Sequence, residues 1–286
     1  MQKITPHLWF DKEALAAAEF YADTFPDSKV LFKTEIHVTT IPDCDIDGFE
    51  VMGLTFQAIS AGPHFKTNPS VSFSLNLETK EETQDLWDKL VEGGEVLMPL
   101  QKYPFSDFYG WLNDKFGVSW QLIALGDAAA GRPKVTPAMM FTQDKVGKAE
   151  EALNFYTSIF KDSKIDEIFR YTADQAPEKE GNIAHSQFHL ANQEFMILES
   201  GHNHKFTFNE GISLIVNCED QAEIDYFWEK LSAVPESEQC GWLKDKFGFS
   251  WQILPANMGE LMTSPASTQA MLKMKKIIIN DLKNTL

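Results

Sequence analysis

The clearest regular pattern in the chain is an alternation of apolar and polar side chains over residues 71–77. Val71, Phe73, Leu75 and Leu77 are apolar, and the residues between them are Ser72, Ser74 and Asn76. A period of two residues predicts a strand with one face in a hydrophobic core. Similar patterns predict strands at 4–10, 51–59 and 118–125.

Two helices are predicted in the same half of the chain. Residues 13–25 carry apolar side chains at helical spacing. Thr79, with Glu82 three positions later, forms a capping-box pattern, so a second helix is expected to begin there. This helix would present Leu86, Trp87 and Leu90 to the core.

The chain also repeats its own pattern. Residues 109–123 read YGWLNDKFGVSWQLI, and residues 240–253 read CGWLKDKFGFSWQI. Because an internal repeat sets the folding unit, we expect two domains, 1–126 and 134–256, joined by an Ala/Gly-rich linker. A separate C-terminal segment, 260–286, is expected to form one helix that starts at Ser264-Pro265 and runs nearly to the end.

Each repeat contains the order strand, helix, strands twice, which predicts two small βαβββ modules per domain. The repeats differ in length, since 21 positions separate Leu90 from Trp111 but 11 separate Leu231 from Trp242. The second domain is therefore expected to lack a strand and a loop. A single working site would accordingly lie in the first domain.

The repeated blocks resemble a known family. The segments TPHLWFD, AGPHF, SVSFSLNLETKEETQDLWDKL and GWLKDKFGFSWQIL are similar to the PhnB-like branch of the glyoxalase/bleomycin-resistance (vicinal oxygen chelate) superfamily. The resemblance implies an α+β fold of two tandem domains, each of paired βαβββ modules that form a cupped mixed sheet with helices outside. A ligand or a metal would be bound in the concavity.

Relatives often carry the label 3-demethylubiquinone methyltransferase, but the residues do not favour methyl transfer. No strand is followed by a glycine-rich loop that would hold S-adenosylmethionine beside a Rossmann-like sheet.

The resemblance also implies where superfamily metal ligands would stand, on the first and last strands of the modules. These places hold Thr5, Gln57, Ser72 and Gln121 in the first domain, and Thr136, Met196, Ser213 and Gln252 in the second. Neither set has a carboxylate or an imidazole, so the charge and the soft nitrogen of a tight divalent site are missing. We therefore expect no metal and no other cofactor.

Two alternative groups of residues could still bind a metal ion. His7 lies two residues beyond Thr5 on the same strand face and could join Gln57 and Gln121. Glu199, His202 and His204 lie close together after a strand, although polar surface is the simpler interpretation.

Aromatic and neutral polar side chains on the predicted cup faces are the candidate ligand contacts. Trp111 and Trp242 would stand at the rims, because aromatic residues line small-molecule pockets. The whole predicted ligand-binding set is Thr5, His7, Trp9, Gln57, Ser72, Ser74, Trp111, Gln121, Ser213, Trp242 and Gln252.

Two further motifs are interpreted as structural. The Asp-Lys-Phe-Gly segments at 114–117 and 245–248 predict tight turns that end in glycine. Residues 43–48 open like a calcium-binding loop, but Leu54 stands where the bidentate Glu should be, so we interpret them as a solvated acidic turn.

Composition narrows the class of function. The chain has 286 residues and a net charge of -17, which disfavours nucleic acid. It has no apolar run of membrane-spanning length, and three scattered cysteines favour a reducing cytoplasm. The two domains are expected to pair within one chain, with a higher oligomer left open.

The preferred hypothesis is a metal-independent small-molecule binding protein of unknown ligand, with no catalytic residue assigned. The alternative is a metal-dependent lyase, isomerase or dioxygenase acting on a substrate with vicinal oxygens.

Overall fold

The computed structural model describes residues 2–36 and 44–285. In repeat 1 the elements are β1 (Ile4–Phe10), α1 (Ala14–Thr24), β2 (Lys29–Ile36), β3 (Cys44–Val51), β4 (Leu54–Ser60), β5 (Val71–Leu77), α2 (Lys80–Leu90), β6 (Glu95–Tyr103), β7 (Ser106–Asn113) and β8 (Ser119–Ala124). In repeat 2 they are β9 (Val135–Phe141), α3 (Ala149–Ile159), β10 (Lys164–Arg170), β11 (Ile183–Leu190), β12 (Gln193–Glu199), β13 (Ile212–Cys218), α4 (Gln221–Leu231), β14 (Trp242–Lys244) and β15 (Ser250–Pro255). The C-terminal segment forms α5 (Met258–Leu261), α6 (Pro265–Leu272) and α7 (Ile279–Lys283).

The predicted α+β class and the tandem modules are confirmed. Helix α2 begins as expected, because the Thr79 side chain accepts a hydrogen bond from the backbone N–H of Glu82. Among the described residues, no helix is long and apolar enough to cross a membrane.

The strands form two mixed sheets, and each sheet takes one module from each repeat. Sheet A has the order β14-β15-β13-β1-β4-β3-β2, and sheet B has the order β10-β11-β12-β9-β5-β8-β7-β6. The joins are antiparallel: β1 pairs with β13, placing His7 opposite Ser213, and β5 pairs with β9, placing Ser74 opposite Thr136. Neither sheet can be completed by one repeat alone.

The helix-bearing faces of the two sheets pack against each other through aromatic side chains. Phe56 of sheet A and Phe73 of sheet B are buried, with ring centroids 4.8 Å apart. Trp120 packs against Phe25 at 5.0 Å, and Trp251 occupies the matching place in repeat 2 against Phe160 at 5.7 Å. The core therefore lies between the sheets and leaves their other faces free of helices.

A buried aspartate joins the two modules of each repeat. One carboxylate oxygen of Asp114 accepts hydrogen bonds from the Tyr21 hydroxyl (2.7 Å) and Trp120 Nε1 (2.8 Å). The other accepts from the backbone N–H groups of Phe116 (2.8 Å) and Val118 (3.1 Å). Burial raises the pKa of Asp114, and these four hydrogen bonds oppose that rise.

Asp245 repeats this arrangement in the second copy. It accepts from the Tyr156 hydroxyl (2.7 Å), Trp251 Nε1 (2.8 Å) and the N–H groups of Phe247 (2.8 Å) and Phe249 (3.0 Å). The structural interpretation of both Asp-Lys-Phe-Gly turns is consistent with these contacts.

The interpretation of residues 44–48 as a solvated turn is wrong. They belong to strand β3, which is paired on both sides, to β2 and to β4. Asp47 within it is 1% exposed. Asp43 lies outside the described residues.

The C-terminal segment differs from the expected single helix. The predicted start holds, since Ser264 forms a capping box, but α6 ends at Leu272. The chain then turns to pair with the second repeat: Cys240 N–H donates to the carbonyl of Met274 (2.9 Å) and Gly241 N–H to that of Lys275 (2.7 Å). Because the carbonyls of Met274 and Lys275 pair with the second repeat, this part of the segment is not helical.

This segment covers the edge that the shorter second repeat leaves bare. In repeat 1 that edge is covered by β6, which pairs with β7. Ile277 and Leu282 of the tail are fully buried. At Gly241, which has φ +89, a Cβ atom would lie 2.6 Å from Leu254 Cδ2 and 3.2 Å from Ile277 Cγ1, so the close approach requires glycine.

Replacing Asp114 by Asn is expected to lower the free energy of unfolding by about 3 kcal/mol, because an amide NH₂ would face donors that lose their acceptor. Chemical denaturation of the variant and of Asp127→Asn, whose side chain is exposed, provides the comparison. Equal stability of the two variants would contradict a joining role for Asp114.

Replacing Ile277 by Ala is expected to lower the free energy of unfolding by about 2–4 kcal/mol, because it opens a cavity under the tail. Ile165→Ala, at a side chain that is 37% exposed, is the matched control. A similar small loss for both variants would show that the tail does not support the second repeat.

Candidate ligand-binding site

The helix-free faces of the two sheets carry the candidate site residues. We name them cup A, on sheet A, and cup B, on sheet B. On β1, Ile4, Leu8 and Phe10 point into the core, so Thr5, His7 and Trp9 belong to cup A. Thr5 and His7 are nevertheless only 3% and 4% exposed. Their burial on a face without helices indicates that the sheet curls around them.

Strand register gathers four of the predicted residues around His7 in cup A. His7 stands opposite Gln57 of β4 on one side and Ser213 of β13 on the other. Gln252 Nε2 donates a hydrogen bond to Ser213 Oγ at 3.0 Å, and Trp242 is the register partner of Gln252.

His7 is the most distinctive group in cup A. Its Nδ1 atom is buried and has no hydrogen-bond partner among the described residues. Burial lowers the pKa of the imidazole to about 3, so it is neutral at physiological pH. The ring meets Trp242 edge-on, with centroids 5.4 Å apart. A neutral imidazole in this position can accept or donate a hydrogen bond to an incoming molecule.

Aromatic side chains surround this imidazole. Trp9 and Trp242 are half-buried, and their ring centroids lie 5.9 Å apart. Trp9 also contacts Phe65 at 5.1 Å and His64 at 6.5 Å, and its Nε1 donates to the carbonyl of Gly62 at 2.8 Å. The loop after β4 therefore forms part of the cup A wall, a role that the strand patterns gave no reason to expect.

The four predicted places of each domain do not lie together, which corrects their grouping by repeat. Thr5 and Gln57 share cup A with Ser213 and Gln252, whereas Ser72 and Gln121 share cup B with Thr136 and Met196. The reason is that β1 pairs with β13 and not with β5. His7 and Gln121 are thus on different sheets and cannot hold one ion.

Polar groups on cup B are bonded to one another. The Tyr109 hydroxyl donates to Gln121 Oε1 at 2.7 Å, and Gln121 Nε2 donates to Ser72 Oγ at 2.8 Å. Trp111 Nε1 donates to Ser119 Oγ at 2.7 Å. The places that hold His7, Gln57 and Trp9 in cup A hold Ala138, Met196 and Met140 in cup B. At these three places cup B is therefore more apolar than cup A.

The donors of cup A do not fit a tightly held divalent metal. Among the described residues around His7, they comprise one imidazole, the amides of Gln57 and Gln252 and the hydroxyls of Thr5 and Ser213, without a carboxylate or thiolate beside them to supply charge. In the described part of the chain, no group of three or more His, Cys, Asp or Glu side chains could hold a metal ion.

The second group of candidate metal ligands, Glu199, His202 and His204, is not arranged around one point. Glu199 accepts hydrogen bonds from the N–H groups of Gly147 (3.0 Å) and Ala149 (2.7 Å), so it caps helix α3. His204 Nε2 is bonded to Ser200 Oγ at 2.9 Å, and His202 Nε2 lies 3.7 Å from Glu178. The three side chains of this group therefore contact different partners.

A cleft of about 420 Å³ lies outside both cups, next to the β3–β4 and β11–β12 turns. The two lysines that line this cleft form ion pairs, Lys3 with Glu223 and Lys134 with Glu78. The amide atoms of Gln193 in its wall lack hydrogen-bond partners but are inaccessible to solvent. We therefore place the candidate site in the cups.

The sheets and modules define the vicinal oxygen chelate class, the superfamily of glyoxalase and bleomycin-resistance proteins, in tandem form. A family model described as 3-demethylubiquinone-9 3-methyltransferase matches residues 2–123 and again residues 133–254. The chain belongs to this PhnB-like family.

Two solved structures are similar to the chain. The PhnB protein from Bacillus cereus is 36% identical over 43% of this chain and 99% of its own, with a TM-score of 0.41. Glyoxalase I from Zea mays is 11% identical over 90% of this chain and 95% of its own, with a TM-score of 0.53, which shows a shared fold alone. No curated protein sequence shows significant similarity to the chain.

Acid should destabilise the protein through His7. Because the folded-state pKa, about 3, is below the unfolded value of 6.5, the unfolded state binds the extra proton between these values and stability rises with pH across that window. We expect this group to contribute a slope of about 1.4 kcal/mol per pH unit between pH 3 and 6. Denaturant unfolding of wild type and His7→Gln at several pH values measures it, and parallel curves for the two proteins would contradict the prediction.

Proposed function

We propose that the protein binds a small organic molecule in cup A without a metal, and that it does not transfer methyl groups. The observation that carries this proposal is the buried, unpartnered Nδ1 atom of His7 among two indoles and two amides. A buried polar atom without a partner costs about 1–3 kcal/mol. A ligand that hydrogen-bonds to His7 would remove that cost.

The surroundings of His7 indicate the chemistry of the ligand. The rings of Trp9 and Trp242 offer faces and edges to a flat apolar body. Gln57 and Gln252 offer amide groups, which hydrogen-bond to uncharged polar atoms. Since no ionised side chain is among these groups, a planar, uncharged molecule with one or two polar atoms fits cup A best.

A metal-dependent lyase, isomerase or dioxygenase is the alternative. Its support is the shared fold of glyoxalase I from Zea mays and the single imidazole at His7. The neutral donors around His7 weigh against it. Elemental analysis of untagged protein after incubation with zinc, nickel, manganese and iron distinguishes the two: near-stoichiometric metal that disappears in His7→Ala would favour the alternative.

Replacing His7 by Ala is expected to weaken ligand binding by about tenfold or more, because the ligand loses a buried hydrogen bond. A screen of planar, uncharged compounds can be read from the indole N–H signals of Trp9 and Trp242 in ¹⁵N NMR spectra. His189→Ala, on sheet B, removes an imidazole that is paired with Asp166 and is the matched control. Unchanged affinity in His7→Ala, or compounds that shift neither indole signal, would contradict the proposal.

A further inference from the structure

The side chain of Arg132, in the linker between the repeats, reaches the helix-free face of sheet B. Its Nη1 donates a hydrogen bond to Gln187 Oε1 at 3.1 Å. Gln187 of β11 is the register partner of Met196, which in turn pairs with Ala138. The neighbour Phe188 points the opposite way and is fully buried in the core. The guanidinium of Arg132 is therefore in cup B.

This guanidinium is not neutralised by the protein. The chain has two arginines, and Arg170 makes a two-pronged ion pair with Glu150, at 2.9 and 2.6 Å. Arg132 has no carboxylate within ion-pair distance among residues 2–36 and 44–285, and Gln187 uses one of its five N–H donors. An unpaired guanidinium is notable in a chain with 42 acidic and 25 basic residues.

The backbone fixes the position of Arg132. Its N–H donates to the carbonyl of Ala129 at 3.1 Å. Gly131 before it has φ +77, and Pro133 after it is held by Asn76, whose Nδ2 donates to the Pro133 carbonyl at 2.8 Å. Because the chain is pinned on both sides, the side chain leaves the linker in one direction.

Apolar surface lies beside the cation. His185 stands two positions before Gln187 on the same face of β11. Burial lowers the pKa of His185, Glu167 opposes this change, and Arg132 adds to it by a smaller amount. The Phe169 ring stacks on His185 with centroids 6.2 Å apart and is 55% exposed. Met196 lies next to Gln187 across the strand pair. A ligand bound to Arg132 would thus meet an aromatic face and a thioether.

We propose that Arg132 makes cup B a binding site for a small carboxylate with an aromatic body. The proposal rests on the use of the cups as small-molecule sites and assigns a different ligand to the second cup. The carboxylate would accept paired hydrogen bonds from the free edge of the guanidinium, and the ring would pack on Phe169 and Met196.

Local charge favours a single carboxylate over a phosphate. In the described part of the chain, Arg132 is the cation that contacts Gln187, and the carboxylates of Glu167 and Glu194 lie on the same face of the sheet. Glu194 is engaged with the Thr136 hydroxyl at 3.1 Å, and neither glutamate pairs with Arg132. A dianion would meet stronger repulsion from these groups than a monoanion.

The test uses phenylacetate and its uncharged isostere phenylacetamide. Binding is followed in the full chain through the ¹³C-methyl signals of methionine, with that of Met196 assigned from Met196→Leu. Arg132→Gln removes the cation, Arg132→Lys keeps the charge without the planar fork, and Arg170→Gln is the matched control. Backbone amide spectra show that each variant is folded.

We expect phenylacetate to shift the Met196 methyl signal in wild type and in Arg170→Gln. Its affinity should fall about tenfold or more in Arg132→Gln and by less in Arg132→Lys, since charge-assisted hydrogen bonds are lost. Phenylacetamide should bind wild type as weakly as phenylacetate binds Arg132→Gln.

Three results would overturn the proposal: equal affinity in Arg132→Gln, equal binding of phenylacetamide, or no shift at Met196. When the third result comes with shifts of the Trp9 and Trp242 indole signals, phenylacetate binds cup A and not cup B. A Met196 shift with phenylacetate, together with a screen of planar, uncharged compounds that shifts neither indole signal, would contradict the proposed function of cup A alone.

Discussion

Asp114 and Asp245 each bring together a helix, a turn and a strand that belong to two different modules. Each carboxylate is buried and accepts four hydrogen bonds. These hydrogen bonds offset the cost of desolvating the carboxylate only when the helix, the turn and the strand are correctly positioned around it. These contacts join the modules of one repeat back to back. The strand pairs β1–β13 and β5–β9 join modules of different repeats edge to edge. Every module thus depends on both repeats.

This double dependence explains why the two cups could diverge in chemistry while the order of their central strands stayed the same. Each cup draws half of its side chains from each repeat, so the core residues behind it are constrained by the common fold. The places facing the cup are not. His7, Gln57 and Trp9 in cup A correspond to Ala138, Met196 and Met140 in cup B. The duplication therefore supplies one scaffold with two cups that differ at these three places, where cup A has His, Gln and Trp and cup B has Ala and two Met.

Much of this fold follows from local patterns in the sequence. The alternation at 71–77 shows which side chains share a face, and the capping box at Thr79 marks where α2 begins. The place of Gln121 on the face opposite Trp120 follows from strand parity in the same way. A period of two residues, however, does not identify the neighbouring strand. Local patterns therefore could not predict whether Thr5 and Gln57 would share a sheet with Ser72 or with Ser213.

The remaining differences have the same origin in long-range contacts. The chain leaves the helix after Leu272, where the carbonyls of Met274 and Lys275 accept hydrogen bonds from the N–H groups of Cys240 and Gly241, more than thirty positions earlier. Arg132 stands in a segment whose glycine and proline indicate only a connection. Its contact with Gln187 depends on β11, which begins about fifty residues later in the chain.

The two cups differ in how their polar groups are satisfied, and this difference bears on selectivity. In cup B, Tyr109, Gln121 and Ser72 satisfy one another, so a ligand of the proposed kind would gain little from them and would be selected by the charge of Arg132. In cup A, His7 Nδ1 has no partner, so a ligand without a polar atom in the right place leaves that atom buried and unpaired. Under the proposed function, rejection of wrong ligands in cup A would thus be a consequence of desolvation. In cup B it would be a consequence of electrostatics, which salt would weaken only to the extent that the guanidinium is exposed.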